Sequence, residues 1–176
     1  MEIHLRPLLP SDREEFTRVL AYSEPLHAPW NPTRPPGDTW DAMFDRQIAS
    51  VADGRSWKGV AELPDGRIGG FFSLSEIVRG VFQSAYAGWS VNAEVGGRGV
   101  ATAGVRALVN FALSPEGLGL HRVQANINPR NIASVRVAEK VGFRQEGLAL
   151  RYLQIAGVWE DHAMYALTVE DLPLRT

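Results

Sequence analysis

Two short segments constrain how this chain can fold. Gly96–Thr102 follows an apolar run and opens a helical pattern, and about thirty residues later Asn128–Ser134 opens another that runs to Gly142. A helix that starts after a strand presents unpaired backbone N–H groups and the positive end of its dipole, which suits an anion. Two segments of this kind, in which a helix follows a strand, predict a mixed α/β sheet. Its parallel crossovers are expected to surround one ligand cleft.

Composition narrows the function classes. The chain has 176 residues, of which 45% are hydrophobic and 22% charged, and this predicts one globular domain spanning 1–176. A net charge of -2 does not suggest a nucleic-acid-binding protein, which usually has a strongly basic surface. The chain has no cysteine, which excludes disulfides, thiolate metal sites and a cysteinyl acyl-enzyme. The absence of a long apolar run or a basic, apolar leader predicts a soluble, cytoplasmic protein with no membrane partner.

The remaining pattern predicts the order β-α-α-β-β-β-α-β-α-β-β. Strands are expected at 3–8, 56–63, 67–77, 81–92, 120–127, 143–155 and 158–168. Helices are expected from a cap at Ser11 or Asp12, then at 39–51 behind Asp38, at 100–113 and at 132–141. The proline-rich segment 25–37 is expected to be an ordered but irregular loop.

The first glycine segment has the features of a phosphate cradle. Glycines at 96, 97 and 99 would let the backbone approach phosphate oxygens, and Arg98 could add a charge-assisted contact. Val100, Ala101 and Thr102 would supply the N–H groups of the first helical turn. The segment lacks the Lys-Ser/Thr end of a Walker A loop and a full G-x-G-x-x-G fingerprint. Taken alone, it fits equally well a glycine-rich turn that only caps a helix.

Gly96–Ala101 resembles the acetyl-CoA loop of the GNAT N-acetyltransferases, Q/R-x-x-G-x-G/A, with Gly96 at the usual Gln/Arg position. Other stretches resemble the RimJ/RimL branch, which acetylates N-terminal amines of ribosomal proteins. They are Pro29–Pro32, Ile77–Gly80, Tyr86–Ser90, His121–Arg122, Ala125–Asn126 and Ile155–Trp159 running into Asp161–His162. The resemblance implies a GNAT acyl-CoA N-acyltransferase fold, acetyl-CoA as co-substrate, no metal, and a primary amine as acceptor.

The resemblance also assigns roles around the thioester. The residue matching Asn131 contacts the pantetheine arm in the family, and the one matching Ser134 lies near the sulfur and is proposed to protonate it. Gly88 in the fourth strand favours a bulge, or a splay away from the neighbouring strand. In the family such a splay frees backbone groups to bind the pantetheine and the thioester oxygen. Here that backbone would be Trp89, Ser90, Val91 and Asn92. The competing interpretations are that Asn131 and Ser134 only cap a helix and that Gly88 is a packing kink.

The general base is less well defined. Many GNAT enzymes place a glutamate on the fourth strand, but residues 83–91 contain no carboxylate. A peptide α-amine, with a pKa of about 7.7–8.0, needs only modest assistance. Tyr86, Glu94, Asp161 and His162 are the candidates. The other histidines lack metal-ligand spacing and are expected in surface or core roles.

The predicted reaction is direct transfer of acetyl to the N-terminal α-amine of a ribosomal or other protein. The alternatives are an acetyltransferase of a small amine, such as an antibiotic, polyamine or amino acid, and a non-catalytic acyl-CoA-binding module. Trp30 and Tyr152 could wall an acceptor pocket, whereas Trp40 is expected to pack in the core. A C-terminal edge strand could pair two chains into a homodimer.

Overall fold

A computed structural model of the chain describes residues 2–30, 35 and 37–173. In this part of the chain, seven strands form one mixed sheet accompanied by four α-helices. The strands are β1 (His4–Pro7), β2 (Trp57–Glu62), β3 (Ile68–Val78), β4 (Ser84–Val91), β5 (Arg122–Ile127), β6 (Arg144–Ile155) and β7 (Val158–Thr168). The helices are α1 (Arg13–His27), α2 (Trp40–Ala49), α3 (Val100–Leu113) and α4 (Ile132–Val141). The predicted order of elements and the mixed α/β fold are confirmed.

The strands lie in the order β1-β2-β3-β4-β5-β7-β6. Every neighbouring pair is antiparallel except β4 and β5, which are parallel. The helices cover both faces. On one face α3 packs on β3 so closely that a Cβ at Gly104 would lie 2.1 Å from the Phe72 ring. On the other face Phe16 of α1 contacts Phe44 of α2 and Phe71 of β3, with ring centroids 5.1 and 4.9 Å away.

The sheet opens between β4 and β5. Their ladder has three pairs and ends where Tyr86 faces Gln124. Beyond this point β4 stays paired with β3 as far as Val91, and β5 stays paired with β7 as far as Ile127. Gly88 lies in the diverging part of β4, but the β3–β4 register is continuous there and shifts only between Ser75 and Val78. The structure therefore has a splay at Gly88 and no bulge.

The first two helices differ from the prediction. Residues 25–27 belong to α1 rather than to a loop, since Pro25 is accommodated in the last turn of the helix. Of the expected loop, residues 31–34 and 36 lie outside the described residues. Helix α2 is capped by Thr39, whose hydroxyl accepts from the Ala42 N–H at 3.1 Å, whereas Asp38 forms an ion pair with Arg46. The Asp12 carboxylate does not cap α1 but accepts from the Leu9 N–H at 2.8 Å and pairs with Arg6.

The start of the fourth strand also differs. Val81 and Phe82 were expected inside it, yet both are exposed, and the strand begins at Ser84. Gln83 has φ 43, a left-handed conformation that is incompatible with extended backbone. β-Prone side chains alone therefore do not place the end of this strand.

Candidate active site

The divergence of β4 and β5 forms the mouth of a cleft of about 1180 Å³. Its glycine-loop arm is formed by residues 95–97 and 99–102, which include the first turn of α3, and by one side of α4 from its first turn to Lys140. Its α1–α2 arm is formed by the end of α1, the inner side of α2 and the facing residues of β2 and β3. A ligand that enters along the first arm can thus meet one held in the second at the splayed edge of β4.

The glycine loop holds a conformation that only glycine adopts readily. Gly97 and Gly99 have φ 75 and φ 85, and Gly99 is the N-cap of α3. No atom lies within 4 Å of a Cβ built on Gly97, so conformation rather than crowding requires glycine there. Gly96, Gly97, Gly99, Val100, Ala101 and Thr102 line the cleft, whereas Arg98 is exposed and does not. The unpaired N–H groups at this helix start fit an anionic group such as a diphosphate.

Helix α4 begins at the same cleft. The Asn131 carboxamide accepts from the Ser134 N–H at 3.2 Å, which is the predicted N-cap. Both residues line the cleft, and within the described residues the Ser134 hydroxyl has no hydrogen-bond partner. Ser134 is thus free to hydrogen-bond a ligand at the positive end of α4. Capping and ligand contact are compatible, and the ligand contact stays a prediction.

The diverging part of β4 contributes Trp89, Ser90 and Val91 to the cleft. Asn92 does not contribute its side chain. It is 1% exposed, donates to the Ile68 carbonyl at 3.0 Å and accepts from the Glu94 N–H at 3.0 Å. Its role in this structure is to hold the turn that leads into the glycine loop.

Of the four candidate bases, His162 alone lines the cleft among the described residues. Its ring is buried, and Nδ1 lies 3.1 Å from the Glu160 carbonyl oxygen. Because a carbonyl can only accept, Nδ1 carries a proton, and in the neutral ring the lone pair is on Nε2. His162 therefore has the tautomer that a proton acceptor needs, and its catalytic role stays a prediction.

The other three candidates lie in surroundings that suit a base poorly. Hydrogen bonds from Arg18 lower the pKa of Glu94, and its carboxylate lies 2.8 Å from that guanidinium. Asp161 accepts from the Arg151 N–H at 2.7 Å. Tyr86 is half-buried beside Tyr152, whose own pKa is raised by burial and by the presence of Tyr86. Because its pKa is raised, Tyr152 remains a protonated phenol near neutral pH and is not a proton acceptor there.

Several cleft residues were not predicted from the sequence, and two of them lie in the α1–α2 arm. His27, at the end of α1, donates from Nε2 to the Val91 carbonyl at 2.8 Å and so ties α1 to β4. Lys58 of β2 is half-buried in the α1–α2 arm. Neither residue belongs to a motif, and no local signal places either one in a cleft.

Residues 2–144 match the family described as the acetyltransferase (GNAT) domain. The chain therefore belongs to the GNAT acetyltransferases, and it is an acetyl-CoA-dependent N-acetyltransferase.

Relatives by sequence share different parts of the chain. The probable N-acetyltransferase YjcK of Bacillus subtilis is 41% identical over 113 residues, which cover 64% of this chain and 61% of YjcK. The ribosomal protein uS5-alanine N-acetyltransferase of Escherichia coli is 28% identical over 167 residues, which cover 91% of this chain and 85% of that enzyme.

Solved structures share the fold over nearly the full length. Mycobacterium smegmatis RimJ, in complex with CoA-disulfide, has a TM-score of 0.87 and 30% identity, and the match covers 97% of this chain and 84% of RimJ. Spermidine N-acetyltransferase from Vibrio cholerae, in complex with CoA and spermine, has a TM-score of 0.80. That match covers 96% of each chain at 19% identity and therefore shows a shared fold alone.

Proposed function

We propose that this protein acetylates the N-terminal α-amine of a polypeptide, with a ribosomal protein as the expected acceptor and the cytoplasm as the expected place. The observation that carries the proposal is the likeness to RimJ, at a TM-score of 0.87 over 97% of the chain. That likeness extends over the α1–α2 arm, where an acceptor would bind.

The side chains of the cleft support this choice over a polyamine. The ionisable residues that line it are His27, Lys58, Arg136, Lys140 and His162, and no Asp or Glu is among the described lining residues. None of the residues outside the described part of the chain is acidic either. Because a polyamine carries several positive charges near neutral pH, it needs carboxylates that this cleft does not offer.

Each part of the cleft has a role in the proposed reaction. The N–H groups at the start of α3 hold the diphosphate of acetyl-CoA, with Gly97 and Gly99 allowing the close approach. The free edge of β4 at residues 89–91 holds the pantetheine and, through a backbone N–H, the oxygen of the thioester. Asn131 positions the start of α4 next to them.

Two side chains handle charge and protons as the amine attacks. The acceptor nitrogen forms the amide bond while the carbon–sulfur bond breaks, and the departing proton goes to Nε2 of His162. The Ser134 hydroxyl and the positive end of α4 stabilise the thiolate. No acyl-enzyme is formed, and the chain has no cysteine that could carry one.

The test is release of free thiol from acetyl-CoA with a panel of acceptors. The panel contains peptides that begin with Ala or Ser, the same peptides with a blocked N-terminus, free lysine, spermidine and an aminoglycoside. We expect turnover on peptides with a free N-terminus. Turnover restricted to a small amine would contradict the proposal, and CoA binding with no turnover on any acceptor would favour a binding module.

A further inference from the structure

Lys58 lies in the α1–α2 arm of the cleft, the arm in which the acceptor would bind. It faces Ser73 across β2 and β3, and Ser73 in turn faces Gly88 across β3 and β4. The Ser73 hydroxyl lies 3.0 Å from a Cβ built on Gly88, so this row of side chains points toward the same face. That face is the one on which Phe71, two residues from Ser73, packs against α1.

The distance fits recognition of a group near the reacting amine. Neighbouring strands lie about 4.8 Å apart, which places the Cα of Lys58 roughly 10 Å from that of Gly88. The lysine side chain spans more than half of this distance. Its ammonium can therefore reach a substituent that lies one or two residues from an amine held at the splayed edge of β4.

The Lys58 ammonium has no counter-ion in the described part of the chain. No hydrogen bond or ion pair joins its side chain to another described residue. The other residues that line this arm include Leu8, Met43 and Phe71, which cannot neutralise it. Burial among such residues lowers the pKa of Lys58, because the charged form loses hydration without gaining a partner.

We infer that Lys58 determines specificity by binding a carboxylate of the acceptor, so that the preferred substrates are polypeptide N-termini with Asp or Glu at the second or third residue. This inference rests on the proposed function, since it names the subclass of N-termini that the enzyme accepts. An extended peptide rises about 3.3 Å per residue, so a carboxylate at these positions lies within reach of Lys58. The ion pair would offset the desolvation of the unpaired ammonium.

The experiment compares three peptides that differ only at positions two and three, as Ala-Glu-Glu, Ala-Gln-Gln and Ala-Lys-Lys. Each is tested as a substrate and, independently of catalysis, as a conjugate that joins its α-amine through an acetyl linker to the sulfur of CoA. Calorimetry measures the affinity of each conjugate for wild type, Lys58→Met and Lys140→Met. Lys140→Met is the matched control, because Lys140 lines the cleft from the last turn of α4, in the glycine-loop arm. Thermal unfolding verifies that each variant is folded, and affinities are compared as the ratio of Glu to Gln conjugate within one variant, so that a change in CoA binding cancels.

We expect wild type and Lys140→Met to bind the Glu conjugate roughly tenfold more tightly than the Gln conjugate, the factor of one charge-assisted hydrogen bond, and the Lys conjugate least tightly. In Lys58→Met the Glu and Gln conjugates should bind equally. Equal affinities in wild type, a preference that survives in Lys58→Met, or no binding of any conjugate would overturn the inference.

The two readouts separate this inference from the proposed function. If all peptides are acetylated at the same rate and their conjugates bind equally, N-terminal acetylation is supported and the role of Lys58 is contradicted. If the conjugates follow the expected order but no peptide is turned over, charge recognition by Lys58 is supported and the proposed function is contradicted.

Discussion

At the scale of single residues, Ser134 and His162 carry the proposed chemistry. Ser134→Ala removes the hydroxyl but leaves the backbone N–H that Asn131 caps. We expect kcat to fall about 100-fold, the usual contribution of one positioned proton donor, with KM for acetyl-CoA nearly unchanged. Steady-state kinetics measure both constants, and Ser134→Thr, which keeps a hydroxyl, should recover part of the rate. An unchanged kcat in the alanine variant would contradict the role.

His162→Asn tests the base. An asparagine amide can still donate to the Glu160 carbonyl, as Nδ1 does now, but it offers no basic nitrogen in place of Nε2. We expect kcat/KM to fall roughly 100-fold. The measurement is steady-state kinetics, with His27→Asn as the control histidine of the cleft. An unchanged kcat/KM in His162→Asn would assign the proton transfer elsewhere.

At the scale of elements, the glycine loop and the start of α3 act as one unit. Gly99→Ala places a side chain on a residue with φ 85 at the N-cap of α3. Gly157→Ala does the same at φ 84 in the β6–β7 turn, at a residue that does not itself line the cleft. Both variants should lose about 1 kcal/mol of unfolding free energy, because a left-handed backbone is unfavourable for alanine. Only Gly99→Ala should also raise KM for acetyl-CoA, and an equal KM in both variants would disprove the cradle.

Element boundaries were predictable where a local signal marks them. Helix α4 begins after the Asn131 cap and ends at Gly142, which has φ 108, and both ends agree with the prediction. Both ends of α3 were also correct, because Gly99 marks the start. The cap of α2 was wrong because Asp38 and Thr39 are both good caps, and the ion pair with Arg46 takes Asp38 away from that role.

At the scale of the whole molecule, an ionic cluster joins the start of the chain to the sheet. Arg6 of β1 lies 2.8 Å from Asp12, next to α1, and 2.6 Å from Glu62 of β2. Burial acts to raise the pKa of Asp12, but the hydrogen bonds from Arg6 and the Leu9 N–H outweigh it, and the net pKa lies below the ordinary value. In a separate ion pair, between β5 and β6, hydrogen bonds from Arg122 likewise lower the pKa of Glu146.

The ionic cluster of Arg6, Asp12 and Glu62 predicts that the folded protein loses stability in acid. Because the folded pKa of Asp12 lies below the unfolded value of about 3.9, its stabilisation is complete above that pH and is lost as the pH falls through the folded pKa. Asp12→Asn should lower the unfolding free energy at pH 6 by about 1–3 kcal/mol and flatten its decline below pH 4. Urea titrations between pH 6 and pH 3 measure this decline. Parallel curves for wild type and variant would show that Asp12 is not the group responsible.

The amino-acid sequence by itself determined the order of the elements, the starts of α3 and α4 and the GNAT family, since these depend on patterns within a few neighbouring residues. Only the tertiary structure decided that β4 and β5 part after Tyr86, that His162 faces the cleft while Glu94 pairs with Arg18, and that Lys58 enters the α1–α2 arm with no ion-pair partner among the described residues. The reason is that burial, charge pairing and the opening of a sheet depend on residues far apart in the chain. No local pattern records which of them will meet.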